Sequence, residues 1–268
     1  MKATSDDVGA GRGAHAAQPS DLIRANRGWW SANADEYFAE HGAFLGDTDL
    51  VWGPEGVTEA DLGLLGEVRG RDVLEFGCGG AQGVRYVRSR GGRGVGLDLA
   101  EGMLRVARGL DARHAVATPL VQADATALPF ADASFDVVFS AYGATPFIAD
   151  LPGLVAGCAR VLRPGGRLVY STSHPIRWAF PDGPSSLTAS MSYFDRAPYT
   201  ESRGGRLEYA EWHHTISDHV RAVAEAGLRL LDLVEPEWPE WNTATWGGWS
   251  PLRGRHIPGT LIVVAEKR

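Results

Sequence analysis

The chain has 268 residues, of which 44% are hydrophobic and 22% charged, so it is long enough to bury a full core in one large domain. Its net charge is -7, from 26 basic and 33 acidic residues, and the basic residues are scattered along the sequence. A nucleic acid is therefore not expected as a partner, because binding to phosphates needs a dense basic face.

The cysteines and the N-terminus predict where the protein resides. Cys78 and Cys158 form neither a metal-binding pair nor a disulfide framework, which fits a reducing compartment. Residues 1–20 are rich in Gly, Ala and Asp without an apolar core, so we expect a disordered tail and no signal peptide. No apolar run is long enough to cross a bilayer. The sequence predicts a cytoplasmic protein without a membrane partner.

Two helices are predicted before the first strand. From Arg24 to about His41, apolar residues recur at helical spacing and form one stripe, so this helix is expected to pack on the rest of the protein. A second helix is predicted over residues 58–67, with Thr58 as its N-cap and Asp61 in its first turn.

From residue 72 onward, predicted strands alternate with predicted helices. The strands are placed at residues 72–76, 94–98, 120–123, 135–140 and 167–172. The helices are placed at residues 83–89, 102–110 and 151–162. Such alternation predicts parallel strands joined by right-handed crossovers, in an open α/β sheet with helices on both faces.

The rest of the chain is less regular. Residues 173–215 show little periodicity and many Pro, Ser and aromatic residues. A helix is predicted over residues 217–226, and apolar runs at 228–234 and 260–265 flank a Trp-rich loop. A final hairpin of these two runs would place an antiparallel strand at the edge of a mostly parallel, seven-stranded sheet.

The stretch Asp72-Val-Leu-Glu-Phe-Gly-Cys-Gly-Gly-Ala-Gln-Gly, followed by Val95-Gly-Leu-Asp98, reads as a strand, a glycine turn, a helix and a second strand that ends in a carboxylate. Gly77 and Gly79 lack a Cβ, so the backbone can turn sharply and a ligand can approach it closely. The helix directs its unpaired N–H groups into the same crevice. Since Asp98 can accept hydrogen bonds from both hydroxyls of a ribose, the pattern predicts a nucleoside site.

Further polar residues share this position relative to the strands. Glu75, Asp98, Asp124 and Ser140 lie at or just before predicted strand ends. In open α/β sheets, ligands bind beyond the carboxyl ends of the strands. We therefore expect these four side chains to lie around one crevice.

The motifs resemble those of class I S-adenosylmethionine-dependent methyltransferases of the small-molecule type. The matching features occur in the family's order: the glycine motif at 73–79, the acidic residue 98, Asp124-Ala125 with Leu128-Pro129-Phe130, Ser134-Phe135-Asp136, and the turn Arg163-Pro-Gly-Gly. The resemblance covers residues 72–172 in motif detail. It implies a Rossmann-like fold, S-adenosylmethionine as cofactor, S-adenosylhomocysteine as product, and in-line methyl transfer to a small organic acceptor.

The resemblance also implies a set of cofactor-binding residues. They are Tyr37, Glu75, Gly77, Gly79, Gln82, Asp98, Leu99, Met103, Asp124, Ala125 and Ser140. Asp98 would hold the ribose hydroxyls and Asp124 would face the adenine amino group. Glu75 would orient the glycine loop or meet the methionine amino group through water. Tyr37 is on the N-terminal helix, which lies across the cofactor in this family.

Two other functions remain open at this point. An NAD-dependent oxidoreductase would favour Gly-x-Gly-x-x-Gly, but Gln82 stands at the third glycine position. A protein that binds S-adenosylmethionine without transferring the methyl group, as a regulator or a non-methylating catalyst, would carry the same motifs. Ala81 stands where the methyltransferase loop commonly has its third glycine, and because alanine is small we expect the replacement to have little effect on the loop.

Three histidines are candidate general bases, which would help if the acceptor is a phenol, an acid or an activated carbon. His174 follows the fifth predicted strand, and His213 and His214 precede the helix at 217–226. For His174 the alternative is a hydrogen-bonded turn before Pro175. For His213 and His214 the alternative is a metal site, but no carboxylate or cysteine cluster completes a ligand set, so no metal is expected.

Aromatic residues crowd the irregular segments: Trp178, Trp212, Trp238, Trp241, Trp246 and Trp249. They favour a pocket for an apolar or aromatic acceptor, although they could instead hold long loops to the domain. Trp30, on the N-terminal helix, is a further candidate for contact with the cofactor, and the Trp52-Gly53-Pro54 stretch could continue the lid or line the substrate pocket. We expect a methyltransferase domain over residues 21–268, with a helical lid at 21–70 and a cap at 173–215. The sequence does not specify an oligomeric state.

Overall fold

A computed structural model describes residues 8–12 and 19–268 of the chain. The strands are β1 Val8–Arg12, β2 Asp72–Phe76, β3 Arg93–Asp98, β4 Leu120–Gln122, β5 Phe135–Ser140, β6 Leu162–Ser173, β7 Tyr199–Arg203, β8 Arg206–Glu211, β9 Leu228–Val234 and β10 Thr260–Lys267. The helices are α1 Pro19–Leu45, α2 Glu59–Leu62, α3 Gln82–Ser89, α4 Glu101–His114, α5 Leu151–Val161, α6 Ile216–Glu225 and α7 Pro251–Gly254.

Seven of these strands form one sheet in the order β4-β3-β2-β5-β6-β10-β9. The first five are parallel, and β10 is antiparallel to both β6 and β9. The predicted mostly parallel α/β sheet with an antiparallel last strand is confirmed. The expected position of that strand is wrong, because β9 takes the edge and β10 returns between β9 and β6.

Both faces of the sheet are buried, as parallel strands require. Leu74 and Val138 belong to the core on the face that α5 and α6 cover. Their neighbours Val73 and Val137 belong to the opposite core, which includes Trp52 and residues of α3. Because neighbouring side chains on a strand point to opposite faces, β2 and β5 are fixed from both sides. Their carboxyl ends are therefore a rigid support for a site.

The first two helices differ in length from their predictions. Helix α1 is longer than the predicted 24–41 segment at both ends. Helix α2 begins as predicted, with Thr58 and Asp61 forming a reciprocal capping box. It ends at Leu62 because Gly63 adopts a left-handed conformation with φ +62°, so its predicted continuation to residue 67 is wrong.

A second, three-stranded sheet has the order β1-β7-β8 and was not predicted. The β7–β8 hairpin lies within residues 173–215, where the sequence shows no strand periodicity. Strand β1 pairs antiparallel with β7, so a strand stands where we expected part of the disordered tail 1–20. Residues 1–7 and 13–18 of that expected tail lie outside the described residues.

Helix α1 is held in place by two close contacts. The buried Asn26 side chain donates to the carbonyl of Ala210 on β8 at 2.9 Å and accepts from its N–H at 2.8 Å. Gly102, at the start of α4, packs against the backbone of Ser31 and leaves no room for a Cβ. Any shift of α1 would therefore break buried hydrogen bonds or reopen a close helix contact.

Gly102→Ala is expected to lower the free energy of unfolding by about 1–3 kcal/mol, because the added methyl group forces α1 and α4 apart. Urea denaturation measures this change. Gly109→Ala is the matched control on the same helix, since a Cβ there meets nothing within 4 Å. The control should raise the free energy of unfolding by about 0.5–1 kcal/mol. Equal effects of the two substitutions would contradict the close contact.

Candidate active site

A cavity of about 270 Å³ lies at the carboxyl ends of the parallel strands. Its walls are the segments that follow β2, β3, β4 and β5, one face of α1, and Trp246 from the loop before α7. Ten of the eleven predicted cofactor-binding residues line it: Tyr37, Glu75, Gly77, Gly79, Gln82, Asp98, Leu99, Met103, Asp124 and Ala125. Three of the four residues predicted at strand ends, Glu75, Asp98 and Asp124, therefore line one cavity.

The glycine turn after β2 forms the floor of the cavity. Gly77 has φ +60°, a left-handed conformation that favours glycine, and a Cβ there would overlap the side chain of Ala144. A Cβ on Gly79 would come within 3.1 Å of Met103 Cε. The turn thus presents bare backbone to the cavity, which suits the close approach of a ligand.

Asp98 holds the turn in place from the end of β3. Its Oδ2 accepts from the N–H of Gly79 and its Oδ1 from the N–H of Ala100, both at 2.8 Å. Burial raises the pKa of the Asp98 carboxyl, against the effect of these two N–H groups. Each carboxylate oxygen has about two lone-pair sites, so acceptor capacity remains on Asp98 for a ligand that brings hydroxyl groups, even with the further backbone N–H of Leu99.

Glu75 lies beneath the start of α3 and is almost fully buried. The N–H of Val84 donates to its carboxyl group, while Oε2 is buried with no hydrogen-bond partner among the described residues. Burial raises the pKa of Glu75 to about 8, and the nearby Arg85 only partly offsets this. A buried carboxyl oxygen without a partner at the edge of a cavity fits a ligand that brings a cation or a hydrogen-bond donor.

The far end of the cavity is mainly apolar. Asp124 accepts from the N–H and the hydroxyl of Thr126 through Oδ1, both at 2.8 Å, and so fixes the turn after β4. Leu99, Met103 and Ala125 lie around it on the lining. This mixture of one carboxylate and apolar side chains is suited to a planar base with an amino group.

Helix α1 contributes an aromatic wall. Trp30 and Tyr37 both line the cavity, with ring centroids 5.2 Å apart in an edge-to-face arrangement. Trp30 also meets Phe147, which follows β5, at 5.2 Å. Trp29 packs instead on Tyr209 of the β7–β8 hairpin.

Ser140 is the one predicted cofactor-binding residue that does not line the cavity. It is fully buried, and its Oγ has no hydrogen-bond partner among the described residues. The hydroxyl lies behind the glycine turn, 3.8 Å from where a Cβ on Gly77 would be. The chain reaches the lining one residue later, at Ala141.

His174 does not reach the cavity, so the expectation that it faces an acceptor is not met. Its Nδ1 accepts from the N–H of Ile176 at 3.1 Å, as in the turn we considered as the alternative. Its Nε2 lies 2.8 Å from Oε1 of Glu235. Burial lowers the pKa of His174 more than Glu235 raises it. The ring therefore joins the end of β6 to the segment after β9.

His213 and His214 are also outside the lining and hold loops together. Nε2 of His213 lies 2.6 Å from the carbonyl oxygen of Tyr193. Nε2 of His214 lies 2.7 Å from the carbonyl oxygen of Ile148, and burial lowers the pKa of this ring. Their predicted role as bases facing the acceptor is therefore not supported by their positions.

Of the six tryptophans in the irregular segments, Trp246 lines the cavity. Trp178 and Trp249 are buried elsewhere, and Trp238 donates to a carbonyl within its own loop. Trp212 and Trp241 are likewise outside the lining. The alternative interpretation, that these residues hold loops to the domain, fits the buried Trp178 and Trp249, whereas Trp241 is largely exposed. Trp52 is also buried and donates to Glu59.

The sequence prediction missed the segment after β5. Tyr142, Gly143, Ala144 and Phe147 line the cavity, and Ala144 lies against Gly77 of the glycine turn. The strand-end rule that selected Ser140 would have found them if it had been extended a few residues into the loop. Among the described residues, no three His, Cys, Asp or Glu side chains form a group that could hold a metal ion.

An open parallel sheet, a bare glycine turn and a strand-end carboxylate define a domain for a nucleoside-containing cofactor. Residues 74–170 match the family described as "Methyltransferase domain". The chain is 40% identical over 207 residues to a demethylmenaquinone methyltransferase of Mycobacterium sp. (strain JLS). The aligned residues cover 75% of this chain and 76% of that protein. The chain therefore belongs to the class I S-adenosylmethionine-dependent methyltransferases, and the predicted family is confirmed.

Other similarities agree with this assignment. A malonyl-[acyl-carrier protein] O-methyltransferase of Serratia marcescens is 39% identical over 116 residues, which covers 43% of this chain and 44% of that protein. The match thus spans less than half the length of that curated relative. The structure of an S-adenosylmethionine-dependent methyltransferase from Mesorhizobium loti superposes with a TM-score of 0.64 at 25% identity, over 80% of this chain and 100% of that one. No helix among the described residues has the length and apolar character to span a membrane.

Proposed function

We propose that the protein transfers a methyl group from S-adenosylmethionine to a small organic acceptor with an apolar, aromatic body. The observation that supports this proposal is one cavity whose lining includes both the carboxylates Glu75 and Asp98 and the aromatic rings of Trp30, Tyr142 and Trp246. The polar side suits a charged nucleoside cofactor, and the aromatic side suits the acceptor.

The proposed cofactor contacts follow from the chemistry of the lining. Asp98 would accept from both ribose hydroxyls while it keeps its bonds to the turn. Glu75, whose Oε2 is buried without a partner, would receive the methionine ammonium directly or through water. Asp124 would face the adenine amino group, and the adenine ring would lie between Leu99, Met103 and neighbouring backbone segments. Gln82, whose side chain folds over Gly80, would lie near the methionine carboxylate.

The same geometry accounts for the chemistry we propose. When bound, the cofactor supplies an electrophilic methyl group, which an acceptor lone pair takes in line as the bond to sulfur breaks and its electrons return to sulfur. The lining residues would hold the acceptor in line, and such positioning can lower a barrier by roughly 7–11 kcal/mol. Since no histidine is among the described residues that line the cavity, the acceptor would release its proton to solvent before the lid and the cap close.

Closure of the cavity would come from α1 and the hairpin it holds. Asn26 joins α1 to β8, so the proposed lid (residues 21–70) and cap (residues 173–215) would move as one body and exclude water. We place the reaction in the cytoplasm, since both cysteines are free and buried. The net charge of -7 favours a small molecule over a nucleic acid as the acceptor.

Transfer of a labelled methyl group tests the proposal. The relative named for demethylmenaquinone favours a quinone-like ring, so 1,4-dihydroxynaphthalene is the first acceptor to test, and saturated decahydronaphthalene-1,4-diol is its control. We expect label in the aromatic compound alone. Tight binding of S-adenosylhomocysteine without turnover of any acceptor would favour a protein that binds the cofactor without methyl transfer, whereas binding of NAD alone would favour an oxidoreductase.

A further inference from the structure

Tyr142 has an unusual backbone conformation for a large residue. Its φ is +40°, in the left-handed region that side chains with a Cβ rarely adopt. The other non-glycine residues with positive φ in the described part of the chain are alanines, at positions 81, 115 and 133. A bulky residue in this conformation persists only where its surroundings hold it, and such residues cluster at functional sites.

Two serines of β6 hold Tyr142 from the same side. The N–H of Tyr142 donates to Oγ of Ser171 at 2.7 Å, and its phenol oxygen lies 2.9 Å from Oγ of Ser173. Residues two apart on a strand project from the same face, so the two serines fix the backbone and the ring tip together. The conformation is therefore imposed by the core strand next to the site.

The clamped ring forms part of the cavity wall. Tyr142 lines the cavity, and its ring centroid lies 5.3 Å from that of Trp246. Trp246 in turn lies 5.2 Å from Phe44 of α1. The ring thus stands where the segment after β5, the lid helix α1 and the Trp-rich loop meet.

We propose that Tyr142 determines acceptor specificity: its ring is the surface on which a planar acceptor rests, and its hydroxyl donates to an oxygen on that acceptor. This inference rests on the proposed function. Ser173 can donate to the phenol oxygen, which leaves the phenol proton for the acceptor. Burial raises the pKa of Tyr142, so the hydroxyl stays protonated and acts as a neutral donor, not as a base.

The test compares two probes that differ by one oxygen, 1-naphthol and naphthalene, by calorimetry on protein saturated with S-adenosylhomocysteine. Tyr142→Phe should weaken 1-naphthol binding about fivefold, the loss of one neutral hydrogen bond, and leave naphthalene binding within about twofold. Tyr142→Gly, which suits the backbone, should weaken both probes by about tenfold or more. Both variants should bind S-adenosylhomocysteine as the wild type does.

Tyr199→Phe is the matched control, because the Tyr199 hydroxyl is also hydrogen-bonded, to Glu201, but the residue is not part of the cavity lining. This variant should bind both probes as the wild type does. Equal binding of 1-naphthol by the wild type and Tyr142→Phe would overturn the role of the hydroxyl. Failure of the saturated wild type to bind either probe would overturn the planar acceptor. Failure to bind S-adenosylhomocysteine at all would instead overturn the proposed function, on which the role of Tyr142 rests.

Discussion

Asp98→Ala is expected to weaken the binding of S-adenosylhomocysteine at least tenfold. The substitution removes the proposed acceptor for two ribose hydroxyls, and hydrogen bonds to a charged group contribute about 1.5–3 kcal/mol each. It also leaves the N–H groups of Gly79 and Ala100 without their present partner, so the glycine turn should lose order. Calorimetric titration measures the dissociation constant.

Asp132→Ala is the control for this substitution, since it removes an exposed carboxylate whose partner is Arg160, away from the cavity. It should leave the dissociation constant within about twofold, as expected for an exposed ion pair. Asp98→Asn should lie between the two, because the amide oxygen can still accept one bond. An unchanged affinity in Asp98→Ala would mean that the ribose is held elsewhere.

Glu75→Gln is expected to change how stability depends on pH. In the folded protein burial raises the pKa of Glu75 to about 8, whereas the ordinary pKa of a glutamate, which we take for the unfolded chain, is 4.5. Between these values the unfolded chain releases a proton that the folded chain keeps, so the wild type should lose stability as pH rises. The difference between wild type and Glu75→Gln should fall by about 1.4 kcal/mol per pH unit between pH 5.5 and 7.5.

Urea denaturation across this pH range measures the effect without cofactor. Burial also raises the pKa of Asp98, Glu55 and Glu59, so the difference between the two proteins is the informative quantity. Saturating S-adenosylhomocysteine should reduce the slope, because its ammonium group favours the ionised form of Glu75. Glu101→Gln, at an exposed position, should show the same dependence of the free energy of unfolding on pH as the wild type. Parallel profiles for wild type and Glu75→Gln would contradict the assigned environment.

The sheet and the cofactor side of the cavity were predictable because both depend on local pattern. Alternation of strands and helices fixes a parallel sheet, and residues at strand ends such as Glu75 and Asp98 then share one edge. Ala81 is buried with φ +59°, a conformation that favours glycine, which is the residue this family commonly has there. Such features need no knowledge of distant contacts.

The proposed acceptor side depends on contacts between distant segments, which the sequence pattern does not encode. The position of Tyr142 is set by serines of β6, and the place of Trp246 by its contacts with α1. His174 was a plausible base from its place after β6, but its two ring nitrogens are engaged by Ile176 and Glu235. Residue type and strand position were therefore insufficient to distinguish a base from a histidine that holds a loop.

The central claim is that the cavity beside Asp98 holds S-adenosylmethionine, and calorimetry with S-adenosylhomocysteine and with NAD tests it most directly. We predict saturable one-to-one binding of S-adenosylhomocysteine and no binding of NAD at the same concentrations. Asp98→Ala should bind S-adenosylhomocysteine at least tenfold more weakly. Tight binding of NAD by a protein that ignores S-adenosylhomocysteine would contradict the account.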